Sequence, residues 1–208
     1  MVETVTYAEQ FQRDSYLHVP AVFGQFMVTR LAADVDAYGN EAAPWAGGWS
    51  LTARHGIHDR SDVWHQAVTD PKLVAIVEEC LGGRAVIDQS TTVVKPPQNG
   101  QPFPMHQDSA FYGHGTQDYV IVTVYLDAMT PENGPIQFVP GSHQRGHRAH
   151  VREGNAKAHL PNVTLAESVP VYAQPGDVTL FHIHTIHGSA PNLSSATRRT
   201  VRLGYRRG

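Results

Sequence analysis

The chain predicts a mainly β protein with flanking helices, two sheets packed on each other within a single domain spanning 1–208. Three observations carry that expectation. Helical periodicity is confined to about residues 1–83, whereas from about residue 84 onward the chain breaks into short β-branched runs bounded by Pro and Gly. Helices followed by a block of strands fit a sheet-on-sheet core with helices at its flank. A length of 208 residues with 41% hydrophobic content supports one well-buried core, and no repeat, composition shift or low-complexity linker marks where a second would begin.

In chain order, Tyr7 to Arg13 reads as a short helix and Phe26 to Tyr38 as a longer one, with Phe26, Leu31, Val35 and Tyr38 at helical spacing. Between them Tyr16, Leu17, Val19 and Val22 form a short buried strand that Pro20 interrupts. Residues 39–62, rich in Gly, Ala, Pro and Trp, lack a sustained period and read as a long irregular segment. A helix follows from about Pro71 to Leu81: Pro71 suits its first turn, Leu73, Val74, Ile76, Val77 and Cys80 give an apolar face, and Gly82-Gly83 stops it. Strands are expected at Ala85 to Val94, Tyr119 to Leu126, Ile136 to Val139, Ser168 to Tyr172, Val178 to Ile183 and Thr200 to Tyr205.

Composition narrows the function. With 16 Lys+Arg against 19 Asp+Glu the charge is nearly balanced, which argues against a protein built to coat nucleic acid. The arginines near the end (Arg198, Arg199, Arg202, Arg206, Arg207) have no aromatic platform beyond Tyr205, and Arg202 alternates with Thr200 and Gly204 on one strand face. No run approaches the roughly 20 apolar residues of a membrane span, and the start of the chain lacks a signal-peptide pattern. The expectation is a cytoplasmic protein with neither membrane nor nucleic-acid partners. One cysteine, Cys80, excludes an internal disulfide and a zinc site built on several thiolates. Thirteen histidines against 16 Lys+Arg turn attention to metal binding.

His106-Gln107-Asp108 places an imidazole and a carboxylate two residues apart; in extended chain both point to one face and can share an ion. A third ligand is available after Pro175-Gly176-Asp177, where an apolar strand runs on to His187. His182 and His184 compete for this role, but the following Gly188-Ser189 and the spacing to Arg198 select His187, leaving His182 as a hydrogen-bonded wall of the pocket. Two neutral imidazoles and one carboxylate make the facial triad of non-haem Fe(II) oxygenases, with coordination positions left open. Arg198, eleven residues beyond His187, can reach the far end of an acid whose other end chelates the metal.

These residues resemble the phytanoyl-CoA dioxygenase family of Fe(II)/2-oxoglutarate-dependent oxygenases through most of the chain. The shared stretches are Phe11 to Pro20 (with Ser15 where glycine is common), Val94-Lys95-Pro96-Pro97, His106-Gln107-Asp108, Pro131 to Pro135, Val139-Pro140-Gly141-Ser142-His143 and the block His187 to Arg198. The resemblance implies a double-stranded β-helix (jelly-roll, cupin-like) core in which His106, Asp108 and His187 bind Fe(II). It further implies that Arg198 pairs with the distal carboxylate of 2-oxoglutarate, supported by the Ser189 hydroxyl. The implied reaction consumes dioxygen, releases succinate and carbon dioxide, and hydroxylates an unactivated C–H bond of a small molecule. Asp108 favours that outcome, because halogenating relatives carry a small residue there. Two rival expectations are a catalytically silent binding or sensor protein on the same fold, and a zinc- or manganese-dependent cupin-type hydrolase or isomerase.

Other polar residues are read more plainly. His143, His147 and His150 are expected in a solvated loop, since Arg145, Arg148 and Arg152 would oppose a second cation. His55, His58 and His65 are expected exposed or hydrogen-bonded in the core. Lys95 either snorkels to water or holds an anionic substrate, and the faces taken by Gln89, Thr91 and Thr123 stay open.

Overall fold

Polar caps at the chain's start set its first helix in a computed structural model that describes residues 5–39, 52–98, 100–111, 118–152 and 158–208. Thr6 and Glu9 cap each other reciprocally at α1 (Tyr7–Asp14), which ends on Ser15 in the left-handed region at φ 68°. Only glycine adopts that conformation freely, which explains why glycine suits this position. After β1 (Tyr16–Val19), α2 (Gln25–Gly39) buries Val28, Leu31 and Val35. Phe26, expected on that apolar face, is instead 78% exposed. The Tyr38 side chain lies outside the described residues.

The irregular reading of 39–62 needs correction where the structure describes it, while residues 40–51 lie outside the described residues. Strand β2 (Thr52–His55) and a 3-10 turn at Ile57–Asp59 precede α3 (Asp62–Val68), a helix the periodicity reading missed. Its Val63, Trp64, Ala67 and Val68 are buried at the spacing of a short amphipathic helix. Helix α4 (Pro71–Leu81) forms as its signals predict. Asp70 accepts the N–H groups of Lys72 and Leu73, Pro71 occupies the first turn, and Gly82 ends the helix in the left-handed region.

Eight further strands follow: β3 (Ala85–Lys95), β4 (Phe103–His106), β5 (Tyr119–Tyr125), β6 (Ile136–Phe138), β7 (Val169–Pro170), β8 (Val178–His182), β9 (His187–Ser189) and β10 (Arg198–Arg207). Six match the expected runs to within two residues at each end. The other two, β4 (Phe103-Pro104-Met105-His106) and β9 (His187-Gly188-Ser189), contain no β-branched residue to mark them as strands. The strand expected to run on to His187 stops at His182, turns, and resumes as β9 in the other sheet.

A six-stranded sheet in the order β1-β8-β5-β10-β3-β2 stacks against a four-stranded sheet in the order β4-β9-β6-β7, all pairings antiparallel. This is the double-stranded β-helix. The N-terminal part contributes β1 and β2, the two edges of the larger sheet, as well as helices.

Alternation then sorts side chains. Val120, Val122, Val124, Val178, Leu180, Val201 and Leu203 face the helices and join one apolar cluster with Leu31, Trp64, Leu73 and Val77. Tyr119, Ile121, Tyr125 and Phe181 point the other way, between the sheets, against Ile136 and Phe138. On β10 that inner face carries Arg198, Thr200 and Arg202.

Candidate active site

The expected ligand pair closes across the smaller sheet: His106, the last residue of β4, lies directly opposite His187, the first of β9. Gln107 remains extended (φ −113°, ψ 138°), so Asp108 returns to the same side as His106 before the chain enters a 3-10 turn. His106 Nε2 lies 3.2 Å from Asp108 Oδ1 and His187 Nε2 lies 3.5 Å from it. The three ligand atoms fall within 4.8 Å of one another, and all three residues are buried. Among the described residues no other group of His, Cys, Asp and Glu meets that spacing.

Backbone carbonyls set the imidazoles for coordination. His106 Nδ1–H donates to the Pro104 carbonyl (2.7 Å) and His187 Nδ1–H to the Thr185 carbonyl (2.9 Å), so each Nε2 keeps its lone pair toward Asp108. Burial pushes both imidazoles below their ordinary pKa, His187 furthest because His106 adds to the effect. Burial opposes ionisation of Asp108, but the Arg202 guanidinium beside it favours the charged form, and the carboxyl is held well below the usual range. The site therefore presents two neutral imidazoles and one carboxylate. Aromatic rings shield it: Phe103 lies 4.5 Å from the His106 ring, and Phe181 4.6 Å from His187, between centroids.

Gln107, whose type carried no signal in the sequence, locks the turn from behind. Its Nε2 donates to the His184 (2.7 Å) and Gly146 (2.9 Å) carbonyls, its Oε1 accepts from Arg148 N–H, and its own N–H donates to His150 Nε2. His150, half-buried, thus buttresses the ligand turn, which corrects the solvated-loop reading for it, whereas His147 is exposed as expected and bonds to the Ser109 hydroxyl. The Ser142 hydroxyl accepts from Ile186 N–H, tying Pro140-Gly141-Ser142 to the approach to His187. At Gly188 a Cβ would lie 2.7 Å from Met105 Sδ and 2.8 Å from the Phe103 carbonyl, so only glycine permits β4 to approach β9.

Arg198 opens β10 opposite Lys95 of β3, at the end of a tight turn. The Asn192 amide donates to the carbonyls of Lys95, Pro96 and Ala196, and its oxygen accepts from Ser194, so this asparagine sets where the arginine emerges. Arg198 is buried beside a narrow cavity shared with Ser189, Thr123, Thr200 and Arg202. Burial pulls its pKa down to about 10. Its Nε and the Thr123 hydroxyl have no hydrogen-bond partner among the described residues. Buried donors of this kind demand an acceptor.

Lys95 does not snorkel. It is fully buried, and its Nζ donates to the Ser189 hydroxyl (2.7 Å) and the Ala190 carbonyl. The remaining polar residues take structural places. The His55 ring bonds to the Thr91 hydroxyl and the His58 ring to that of Ser90, while His65 is exposed. Gln89 lies across from Gly204 on β10. His182 and His184 stand outside the triad; His182 packs near His143 and lines a separate cleft of about 590 Å³ that none of the three triad residues touches.

Arg202 was missed as a site residue. Its Nη1 sits 3.2 and 3.4 Å from the two Asp108 oxygens, its Nη2 3.2 Å from His187 Nε2, and its guanidinium carbon within 6 Å of the Phe103 and Phe181 rings. Two-residue alternation from Arg198 through Thr200 was the signal that could have found it.

The residues fit the groups the site implies. Two unprotonated imidazole nitrogens with a carboxylate suit a ferrous ion, and the orphaned Arg198 and Thr123 donors suit a carboxylate reaching into the cavity.

Comparison with known proteins agrees. The phytanoyl-CoA dioxygenase family model matches residues 11–200. L-proline trans-4-hydroxylase of Streptomyces griseoviridis is 29% identical, over 95% of this chain and 84% of that protein. A probable alpha-ketoglutarate-dependent hypophosphite dioxygenase of Stutzerimonas stutzeri is 32% identical, over 69% of this chain and 53% of that protein. The crystal structure of EctD from S. alaskensis with 2-oxoglutarate and 5-hydroxyectoine superposes with a TM-score of 0.78 at 25% identity, covering 96% of this chain and 74% of that one. With its ligand triad, its sheet order and nearly its whole length accounted for, the chain belongs to the phytanoyl-CoA dioxygenase family of iron- and 2-oxoglutarate-dependent oxygenases.

Proposed function

We propose that this enzyme hydroxylates an unactivated C–H bond of a small molecule, with His106, Asp108 and His187 holding Fe(II) and Arg198 holding the distal carboxylate of 2-oxoglutarate. The observation that carries the reading is the meeting of three buried ligand atoms within 4.8 Å beside a cavity where the Arg198 Nε has no partner. When bound, the iron and 2-oxoglutarate supply the activation of dioxygen, with succinate and carbon dioxide released.

The chain's own residues supply orientation. Arg198 fixes the co-substrate by its far end, and Lys95 holds the Ser189 hydroxyl in place beside it. The Pro104 and Thr185 carbonyls keep both imidazoles in the coordinating tautomer. Phe103 and Phe181 exclude water from the metal position, which strengthens every electrostatic contact there. Asp108 offers a protein carboxylate as the third ligand, which favours hydroxylation over halogenation.

Relatives bear the names L-proline trans-4-hydroxylase, methylphosphonate hydroxylase and 1-deoxypentalenic acid 11-beta-hydroxylase, which supports a small-molecule substrate for this chain. A small molecule is the one partner proposed. Among the described residues no helix is long and apolar enough to cross a membrane, and the one cysteine, free and buried, suits a reducing cytoplasm.

The test is succinate formation from 2-oxoglutarate with Fe(II) and dioxygen across a metabolite panel. Substrate-stimulated succinate supports the reading. Its absence with intact metal binding would favour a silent binding protein, and product formation independent of 2-oxoglutarate would favour a metal-dependent hydrolase.

A further inference from the structure

The inner face of β10 carries one more cation than the established chemistry needs. Arg198 and Arg202 line the same cavity. With Fe(II) and 2-oxoglutarate in place, the metal's two charges meet Asp108 and the near carboxylate of the co-substrate. The far carboxylate meets Arg198, with Lys95 at the same end, opposite it on β3.

Arg202 is left over. In the structure its Nη1 contacts Asp108 and its Nη2 contacts the His187 Nε2 lone pair. His187 and Asp108 would turn that lone pair and that charge to a metal held between them, which would leave Nη2 without its acceptor. The Arg202 side chain is only 14% exposed, and Phe103 and Phe181 flank it, so water compensates it poorly. Directly across the register on β5 stands Thr123, whose buried hydroxyl also lacks a partner among the described residues. Beyond Arg202 on the same face, at Gly204, the Tyr119 hydroxyl and the Gln89 side chain fill the space a side chain would take, so a group pairing with Arg202 meets it from the cavity shared with Arg198 and Ser189.

We propose that the substrate of this enzyme carries a small oxyanion, a carboxylate or an acid of phosphorus, that pairs with Arg202 beside the metal. The inference rests on the oxygenase reading above and adds the class of substrate to it. An arginine offers an oxyanion two parallel N–H donors, which fixes the orientation of the attached carbon skeleton as well as binding it. Arg202 is thereby the residue that decides which C–H bond faces the metal.

The experiment uses the whole chain loaded with Mn(II), which does not turn over, and saturating 2-oxoglutarate. Acetate, the bare acid group, is titrated by calorimetry against acetamide, its uncharged counterpart. Wild type binds acetate in preference to acetamide. Arg202→Met loses about tenfold or more in acetate affinity, the worth of a charge-assisted hydrogen bond, and the acetate–acetamide difference disappears. Arg202→Lys, which keeps the charge, retains most of the acetate affinity and guards against a folding defect in the first variant.

Equal acetate affinity in wild type and Arg202→Met overturns the inference. So does a variant that loses 2-oxoglutarate affinity while keeping acetate, because Arg202 would then serve the co-substrate. Failure of the wild type to bind 2-oxoglutarate at all is a different result: it removes the oxygenase reading, and this inference with it.

Discussion

The two faces of the larger sheet are built from the same strands and obey different rules. Toward the helices, β5, β8 and β10 present Val120, Val122, Val124, Val178, Leu180, Val201 and Leu203, an unbroken apolar surface. Toward the smaller sheet, the neighbouring positions on these strands and on β3 present Lys95, Thr123, Thr179, Arg198, Thr200 and Arg202, all but one of them nearly inaccessible to water. One face supplies stability by apolar burial. The other spends part of it to hold charges and unpartnered donors where chemistry is to occur. A one-residue slip of register would exchange the two, so strand alternation is what protects the site.

The comparison breaks most sharply at Asp108, the carboxylate on which the inner face converges. Asp108→Ala is expected to abolish metal-stimulated succinate formation and to remove divalent-metal binding by calorimetry, while the helix-facing core still melts cooperatively. Loss of folding instead would mean that the carboxylate belongs to the scaffold.

On the outer face the expected cost is purely structural. Leu203→Ala should lose about 2–5 kcal/mol in urea unfolding, with metal affinity of the folded fraction unchanged. Arg198→Met should do the reverse, weakening 2-oxoglutarate by roughly tenfold to a hundredfold, the worth of a charge-assisted contact, while stability holds or rises as a buried charge is removed.

Adjacent residues on β5 give the finest contrast. Thr123→Val removes an unpartnered buried hydroxyl and is expected to stabilise by about 1 kcal/mol, whereas Val122→Thr buries a new one and should cost about 1–3 kcal/mol. Chemical denaturation of both variants reads the difference directly. Equal effects would mean that the two faces are not distinct environments.

The smallest effect concerns pH. His106 and His187 have folded-state pKa values below the ordinary imidazole value because they are buried. As pH falls through about 6.5, the value of the free side chain, the unfolded chain takes up these protons and the folded site does not. Their contribution to stability is therefore present above that pH and declines below it. Metal affinity, which depends on the folded-state values, should change little between pH 7.5 and 6.5. Two imidazoles of ordinary pKa would lose severalfold, and equilibrium dialysis with Mn(II) distinguishes the cases.

Much of this was legible in the sequence, for reasons that also explain the rest. His106, Asp108 and His187 were found because a metal demands particular side chains, and the structure gathers the three. Strands β3, β5, β8 and β10 were found because long β-branched runs show themselves. Strands β4 and β9, which carry His106 and His187, did not, since Phe103-Pro104-Met105-His106 and His187-Gly188-Ser189 hold no β-branched residue. Helix α3 follows directly on the stretch read as irregular and, at 7 residues, spans only about two turns.

Gln107 and Arg202 escaped for a different reason. A glutamine between two ligands has no chemistry of its own to announce, and it acts by joining three backbone groups and the His150 imidazole, which only the folded chain brings together. Alternation places Arg202 on the same strand face as Arg198, but a shared face does not say which carboxylate the second arginine meets. Its partner Asp108 lies 94 residues away in sequence.

The central claim is that the three buried ligand atoms bind ferrous iron that 2-oxoglutarate then chelates. Anaerobic titration of the metal-free protein with Fe(II) and 2-oxoglutarate tests it without knowledge of the substrate. Wild type should develop the weak visible charge-transfer band of the chelate, saturating at one iron per chain, and Asp108→Ala should develop none. No band in the wild type, or an equal band in the variant, would contradict the account.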